Sequence, residues 1–276
     1  MASLIYFTMG HGGVVCLIWC SILLLTAAGP VSAGFTMTVK VTQPSFGEGD
    51  TATMGVELVN SGDETAYKGT LEIAHPPGLT SRPISYETIE PNITYKREVE
   101  VAKEPDMLPG SYPLVLSLRF HDSNNYPIYM IFDSALVIGE QSASGVHGEL
   151  SNVNLPTDGS RELTLKIKNA DDETHKVKAK IILPGGLKAD KTEETVEVEP
   201  QAEASVDYTI SNFMALPGSD LLVIAAIEYD EDQRHYSTLA KARVRLEQKS
   251  ERPMFLLMAF IVVVLLGAYY HLELWK

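Results

Sequence analysis

Residues 56–79 read VELVNSGDETAYKGTLEIAHPPGL, and about 109 residues later residues 165–187 read LKIKNADDETHKVKAKIILPGGL. Each is followed by a second echo, MLPGSYPLVLSL at 107–118 and ALPGSDLLVIAA at 215–226. The chain writes one module twice. Inside the module apolar residues recur with period two, the mark of strands covered on one face. Met54, Val56 and Leu58 alternate with Thr53, Gly55 and Glu57, as Leu163, Leu165 and Ile167 alternate with Thr164, Lys166 and Lys168. The next strand is expected to point Tyr67, Gly69, Leu71 and Ile73 inward in the first copy, and His175, Val177, Ala179 and Ile181 in the second. Later strands put Tyr112, Leu114, Leu116 and Leu118 inside one copy and Leu222 and Ile224 inside the other, where Ala225-Ala226 breaks the alternation and predicts a bulge.

Turn residues stand where these strands must reverse. Asn60-Ser61-Gly62-Asp63 and Asn169-Ala170-Asp171-Asp172 supply short polar side chains for tight connections, and Pro76-Pro77-Gly78 and Pro184-Gly185-Gly186 end the strand that follows. Several short strands per copy, with turns at sandwich spacing and no useful amphipathic helix, predict an all-β chain of two tandem immunoglobulin-like β-sandwiches. The expected division is 34–140 for the first sandwich, 141–148 for a linker and 149–248 for the second.

The ends decide which solvent the sandwiches meet. Residues 14–28, VVCLIWCSILLLTAA, form an apolar run followed by Val31-Ser32-Ala33, so 1–33 reads as a signal peptide cleaved after Ala33. An uncleaved signal anchor is the alternative. The only two cysteines, Cys16 and Cys20, lie in this segment, so an exported domain without disulfides must be held by its core. Residues 254–270, MFLLMAFIVVVLLGAYY, carry no charge, and a single transmembrane helix is expected over 253–274, with Tyr269, Tyr270 and Trp275 near one interface. The expectation is a single-pass membrane protein with an extracytoplasmic ectodomain, at the cell surface or in a periplasm, and a very short cytoplasmic tail.

The turn Phe46-Gly47-Glu48-Gly49-Asp50, the strand ending Val59-Asn60-Ser61-Gly62-Asp63 and the strand ending Pro76-Pro77-Gly78-Leu79 together resemble the CARDB-like and α-galactosidase-associated immunoglobulin-like domains of prokaryotic exported proteins. The second copy departs from that pattern, with Thr157-Asp158-Gly159-Ser160 at the first turn and Ala170-Asp171 at the next. The resemblance implies spacer, adhesion or complex-assembly roles and brings no catalytic residues with it.

For local chemistry the strongest pattern is acidic. In an immunoglobulin-like topology the loop after the second strand and the last hairpin share a pole, which would gather Asp171, Asp172, Glu173, Asp230, Glu231 and Asp232. Glu140 and Glu149 approach from the linker side. Such a set suits Ca²⁺, which takes six to eight oxygens, and an ion there would stiffen a two-domain rod. The competing reading is a solvated acidic loop, since net charge is −14 and no D-x-[DN]-x-[DN]-G spacing occurs. Asn92-Ile93-Thr94 is a sequon that makes Asn92 a candidate glycosylation site.

Catalytic signatures are absent from the sequence: no HExxH, no G-x-S-x-G, no P-loop, and histidines scattered one per segment, with His121 and His235 near corresponding hairpins as a weak metal pair. The acidic balance opposes nucleic acid as a partner. Lys241, Arg243 and Arg245 alternate with Ala242 and Val244, which reads as a solvent face or as a contact for anionic headgroups. The expectation is a non-enzymatic, membrane-anchored extracytoplasmic scaffold or interaction protein with a protein partner, of the kind that serves as an accessory subunit of a larger membrane or cell-surface assembly. The alternative is a carbohydrate- or ligand-binding surface module, which needs a row of aromatics from Tyr86, Tyr95, Tyr126, Tyr129 and Tyr236.

Overall fold

A computed structural model describes residues 34–47, 49–247, 260–262, 264–268 and 271. The segment 1–33, read as a signal peptide, and most of 253–274, read as a membrane span, lie outside the described residues. Those described between 260 and 271 are helical and solvent-exposed, and no helix among the described residues is long and apolar enough to cross a membrane.

The rest is mostly β. The first module contains β1 (Met37–Thr42), β2 (Thr51–Asn60), β3 (Ala66–His75), β4 (Leu79–Ser81), β5 (Ile84–Ile89), β6 (Thr94–Lys103), β7 (Gly110–His121) and β8 (Pro127–Ile138). The second contains β9 (Val146–Leu150), β10 (Val153–Leu155), β11 (Ser160–Asn169), β12 (His175–Ile182), β13 (Leu187–Ala189), β14 (Glu193–Val198), β15 (Glu203–Asn212), β16 (Asp220–Glu231) and β17 (Arg234–Leu246). Strand β9 begins inside the stretch read as a linker and pairs with β11.

Each module is a β-sandwich. Sheet β1-β2-β6-β4 faces β5-β3-β7-β8 in the first, and β9-β11-β15-β13 faces β14-β12-β16-β17 in the second. The period-two pattern explains the inner faces: Met54, Val56 and Leu58 join one core, and Leu163, Leu165 and Ile167 the other, all buried. Both modules close their turn with the same device. Asn60 donates from Nδ2 to the Glu64 and Ile89 carbonyls at 2.7 and 3.2 Å, and Asn169 donates to the Glu173 and Val198 carbonyls at 2.7 and 3.1 Å. Their Oδ1 atoms accept from the backbone N–H groups of Gly62 and Asp171. These asparagines are therefore buried clamps joining two loops, beyond the turn-forming role expected of them.

Two expectations about strand faces are corrected. Tyr67 points outward because β3 slips register against β7 between Tyr67 and Thr70, where Lys68 adopts a φ of 52°, and Ala66 takes the buried place. Strand β16, in contrast, has no bulge: it stays in register with β17 from Asp220↔Arg245 to Glu231↔Arg234. Its alternation fails because both faces are covered. Val223, Ala225 and Ile227 enter their own core, whereas Ile224 and Ala226, with Leu222 beside them, pack against the first module.

That packing also replaces the expected rod by a side-by-side block. Val115 and Ile131, on the outer face of β7 and β8, form an apolar cluster with Ile182, Ile224 and Ala226 of the second module. A strand buried on both faces reads as a continuous apolar run, which is what LVLSL and LLVIAAI show. At the edge, β17 pairs parallel with β7 through His235↔Gly110, so the inner sheets of both modules form one nine-stranded sheet.

Candidate functional site at the module junction

Beside that bridge lies a cluster of ionisable groups drawn from both modules. His75 ends β3 just after a second register shift, between Ile73 and His75. From the other module, β16 contributes Glu228 and Asp230, and β17 contributes His235. Glu228 Oε2 lies 3.0 Å from His75 Nε2, and its Oε1 lies 3.2 Å from His235 Nε2. The other ring nitrogen of His235, Nδ1, is 2.7 Å from Asp230 Oδ1. Tyr112 stacks on the His235 ring, 3.8 Å between centroids at 5°. His75, Glu228 and His235 are all buried, and among the described residues both ring nitrogens of His75 and Nε2 of His235 have no partner in hydrogen-bond geometry, so Glu228 meets them as an ion-pair contact.

Backbone contacts lock the same place. His235 N donates to the Pro109 carbonyl at 2.9 Å, Ser237 Oγ donates to the Ser111 carbonyl at 2.6 Å, and Ser142 Oγ donates to the His235 carbonyl. Gly110 has a φ of 153°, and a Cβ on it would overlap the His235 carbonyl oxygen, so only glycine permits this approach.

The electrostatics follow from burial and pairing. Burial alone would push the Glu228 carboxyl up, but the close approach and charge of the His235 and His75 imidazoles outweigh it and hold it at about 2. Burial works against the His235 cation, yet Glu228 and Asp230 raise its pKa above the ordinary value. Burial, with the charges of Asp230 and Glu228, pushes the Tyr112 phenol up. With Asp230 hydrogen-bonded at Nδ1 and a Glu228 oxygen 3.2 Å from Nε2, His235 is flanked by two carboxylates and forms a charge lock between modules. Beside it opens a cleft of about 370 Å³ whose walls include Pro76, Met107 and Leu108 of one module and Lys176, Lys178 and Asp230 of the other.

The six carboxylates predicted to share a pole are divided. Asp171 Oδ2 and Glu231 Oε2 flank His175, at 2.9 Å from Nε2 and 3.6 Å from Nδ1. Asp172 Oδ1 accepts from Gln201 Nε2 at 3.3 Å, and Asp230 belongs to His235. Glu173 and Asp232 act on Glu231: burial pushes its carboxyl up, the charge of His175 opposes this, and the charges of Glu173 and Asp232 add to it. An imidazole thus stands where a cation was expected. Among the described residues, no group of three or more His, Cys, Asp or Glu side chains is disposed to hold a metal ion. Glu140 pairs with Arg234 at 2.6 Å, and Glu149 lies opposite Lys166 in the β9–β11 ladder.

Other predicted features are placed as follows. His121 sits at the far end of β7 from His235, so the two do not meet. Asn92 is exposed in the turn between β5 and β6. Lys241 pairs with Asp133 of the first module at 2.6 Å, and Arg245 with Asp220 at 3.3 Å, which neutralises much of the basic stripe. No aromatic row forms among the named tyrosines: Tyr86 is buried against Tyr95, Tyr129 donates its hydroxyl to Met214 Sδ across the modules, and Tyr236 stacks on Tyr229. Sequence reading missed His75, Tyr112 and Glu228. The legible signal was Glu228 itself, one carboxylate at the end of the apolar run LLVIAAI, which a buried strand carries only with a partner.

No family model matches the chain, and no curated protein matches it. Among solved structures, it is similar to a protein of unknown function from Porphyromonas gingivalis W83, with 10% identity, TM-score 0.30, and coverage of 76% of this chain and 99% of that one. It is also similar to red sea bream transglutaminase, with 13% identity, TM-score 0.27, and coverage of 83% of this chain and 33% of that one. A third similarity is to trypsin-activated alpha-2-macroglobulin from Escherichia coli, with 11% identity, TM-score 0.32, and coverage of 78% of this chain and 18% of that one. Likeness at these scores carries no functional argument.

Proposed function

We propose that the protein is a non-enzymatic, membrane-anchored extracytoplasmic scaffold in which two CARDB-like immunoglobulin-like modules act as one rigid block presented to a protein partner. The observation that supports this reading is the junction. An apolar cluster, a shared sheet and a buried His75–Glu228–His235 lock hold the modules in one arrangement, a use of buried charge that favours geometry over turnover. The apolar segments 14–28 and 254–270 supply the export signal and the single membrane span, with the tail in the cytoplasm.

Crosslinking of the full chain in native membranes, followed by mass spectrometry, tests it. The expected result is a stoichiometric membrane-protein partner linked through 34–247. Crosslinks from that region to cytoplasmic proteins would overturn the topology and the function together.

A further inference from the structure

Five large apolar side chains outside the C-terminal helix are exposed among the described residues: Tyr67, Ile93, Tyr126, Phe213 and Leu216, from 38% for Leu216 to 54% for Phe213. They lie on five different segments of two modules, yet the fold brings all of them to one end of the block. Strands β7 and β17 start together at Gly110 and His235 and run parallel, so His121 and Leu246 lie toward the same end. At His121 the ladder places Tyr67 opposite and the turn carrying Tyr126 next. Ile93 follows Asn92, whose N–H donates to the Asn60 carbonyl at 2.7 Å, while Ala66 pairs with Ile89. In the second module the loop bearing Phe213 and Leu216 is tied to the end of β17, Gly218 N donating to the Leu246 carbonyl at 3.1 Å. The modules meet between the two groups, where Pro127, Ile128 and Tyr129, next to Tyr126, line a small cavity with Gly186, Ala215 and Leu216.

The chain enters and leaves the block at this same end. Gly34 N donates to Asp63 Oδ1 at 2.8 Å, beside the Asn60 turn, and Glu247 N donates to the Leu155 carbonyl at 2.9 Å, with six residues, 248–253, between it and the uncharged run 254–270. The opposite end carries the module junction, with Glu104, Asp106 and Asp230 at its surface.

We infer that this end is a second membrane contact: Phe213, Leu216, Tyr126, Tyr67 and Ile93 rest in the headgroup region of the bilayer that holds the anchor, so the block lies with its long strands upright on the surface. The chemistry fits a lipid interface. Tyrosine and phenylalanine partition to the boundary between headgroups and acyl chains, and Lys188 Nζ stands 3.4 Å from the Phe213 ring centroid, an arrangement in which the ammonium reaches water or phosphate while the ring is buried. Charges on this end lean acidic, Lys68, Lys188 and Arg245 against Asp63, Glu64, Glu90, Asp122, Asp220 and Glu247, so the contact is apolar, to zwitterionic lipid, and draws nothing from anionic headgroups. The basic stripe is a poorer candidate, its charges being answered by Asp133 and Asp220. Six residues of tether hold the block within reach of the surface, so a modest apolar contact suffices to orient it. Asn92 stands on this face, and a glycan there and bilayer contact by Ile93 exclude each other.

The inference rests on the anchored reading, and one experiment separates their failures. The full chain, with Cys16→Ala and Cys20→Ala and a single new cysteine at Phe213→Cys, Tyr126→Cys or, at the opposite end, Asp106→Cys, is labelled with an environment-sensitive dye. It is then reconstituted in phosphatidylcholine liposomes containing a spin-labelled phosphatidylcholine quencher. Quenching severalfold stronger at 213 and 126 than at 106, and weakened at 126 by Phe213→Asp with Leu216→Asp, is the expected result. Equal, weak quenching at all three positions in a chain that resists alkaline extraction would overturn the contact and leave the anchor standing. A disulfide-linked dimer through position 213 without lipid quenching would assign the face to a second copy and overturn it as well. Release of the chain by alkaline extraction would overturn both readings.

Discussion

The turn at Asn60 and the turn at Asn169 are the same clamp built twice, and what surrounds them is different. In the first module the clamp holds the chain entry, with Asp63 accepting from Gly34 N. In the second, the aspartate two residues after the asparagine turns inward to His175, and Glu231 closes on the ring's other side. The strands that follow diverge too. Strand β12 keeps regular register with β16, whereas β3 slips twice against β7, one slip turning Tyr67 to solvent and the other preceding His75 at the junction. Duplication therefore preserved the backbone hydrogen bonds that each sandwich needs for itself and left free the positions where the modules face each other. The slips in the first copy re-aim Tyr67 and precede His75, whereas the second copy supplies Glu228, Asp230 and His235 from strands in regular register.

The comparison breaks most easily at the junction, where a charge in one copy is answered from the other. Glu228→Ala leaves two buried imidazoles without their carboxylate and is expected to cost about 4 kcal/mol, read as a lower urea midpoint of the full chain in detergent. A triple change of His75, Glu228 and His235 to Leu should restore much of that loss. Failure of the triple variant to recover would show that the lock does more than balance its own charges.

The paired glycines of the repeated LPGS motif come next. Gly110→Ala drives a methyl into the His235 carbonyl and is expected to cost about 3 kcal/mol. Gly218→Ala, at a φ of 83° and away from the junction, is expected to cost about 1 kcal/mol. Equal effects would mean that the approach of β7 to β17 is not what Gly110 is for. The two clamps should in turn nearly match: Asn60→Ala strands two backbone carbonyls and Asn169→Ala three, and each is expected to cost about 2 kcal/mol, measured in the same unfolding assay.

Proton linkage gives a smaller and signed effect. His235 has a raised pKa, so its contribution is complete below its ordinary value of 6.5 and is lost as pH climbs through the raised one. Glu228, held at about 2 against an ordinary 4.5, contributes fully above 4.5 and loses its contribution as pH falls toward 2. Thermal stability should therefore be greatest between these ordinary values and fall on either side, and Glu228→Ala should flatten the profile. The smallest effect belongs to the acidic pole. With His175 between Asp171 and Glu231, millimolar Ca²⁺ should leave Tm unchanged, and a clear rise would restore the metal reading.

Much of the fold was legible. Alternation in β2 and β11 named the inward residues, and the Asn, Gly and Pro clusters named the turns. It failed where a strand has two buried faces: in β16 the true core residues are Val223, Ala225 and Ile227, and the apparent break at Ala225-Ala226 is the mark of a second covering layer. Periodicity reports that a face is buried and is silent about which body buries it. The junction site was harder still, because His75 and His235 lie 160 residues apart in sequence and neither has a local signature.

By itself, then, the amino-acid order determined what depends on near neighbours: strand periodicity, turn chemistry, the duplicated module, and the apolar segments at either end. Tertiary structure alone decided that the modules lie side by side, that Glu228 is shared by two histidines, and that five scattered apolar side chains reach one end. Those outcomes depend on which faces meet across long separations, and burial area and charge pairing choose among such arrangements only once both surfaces exist.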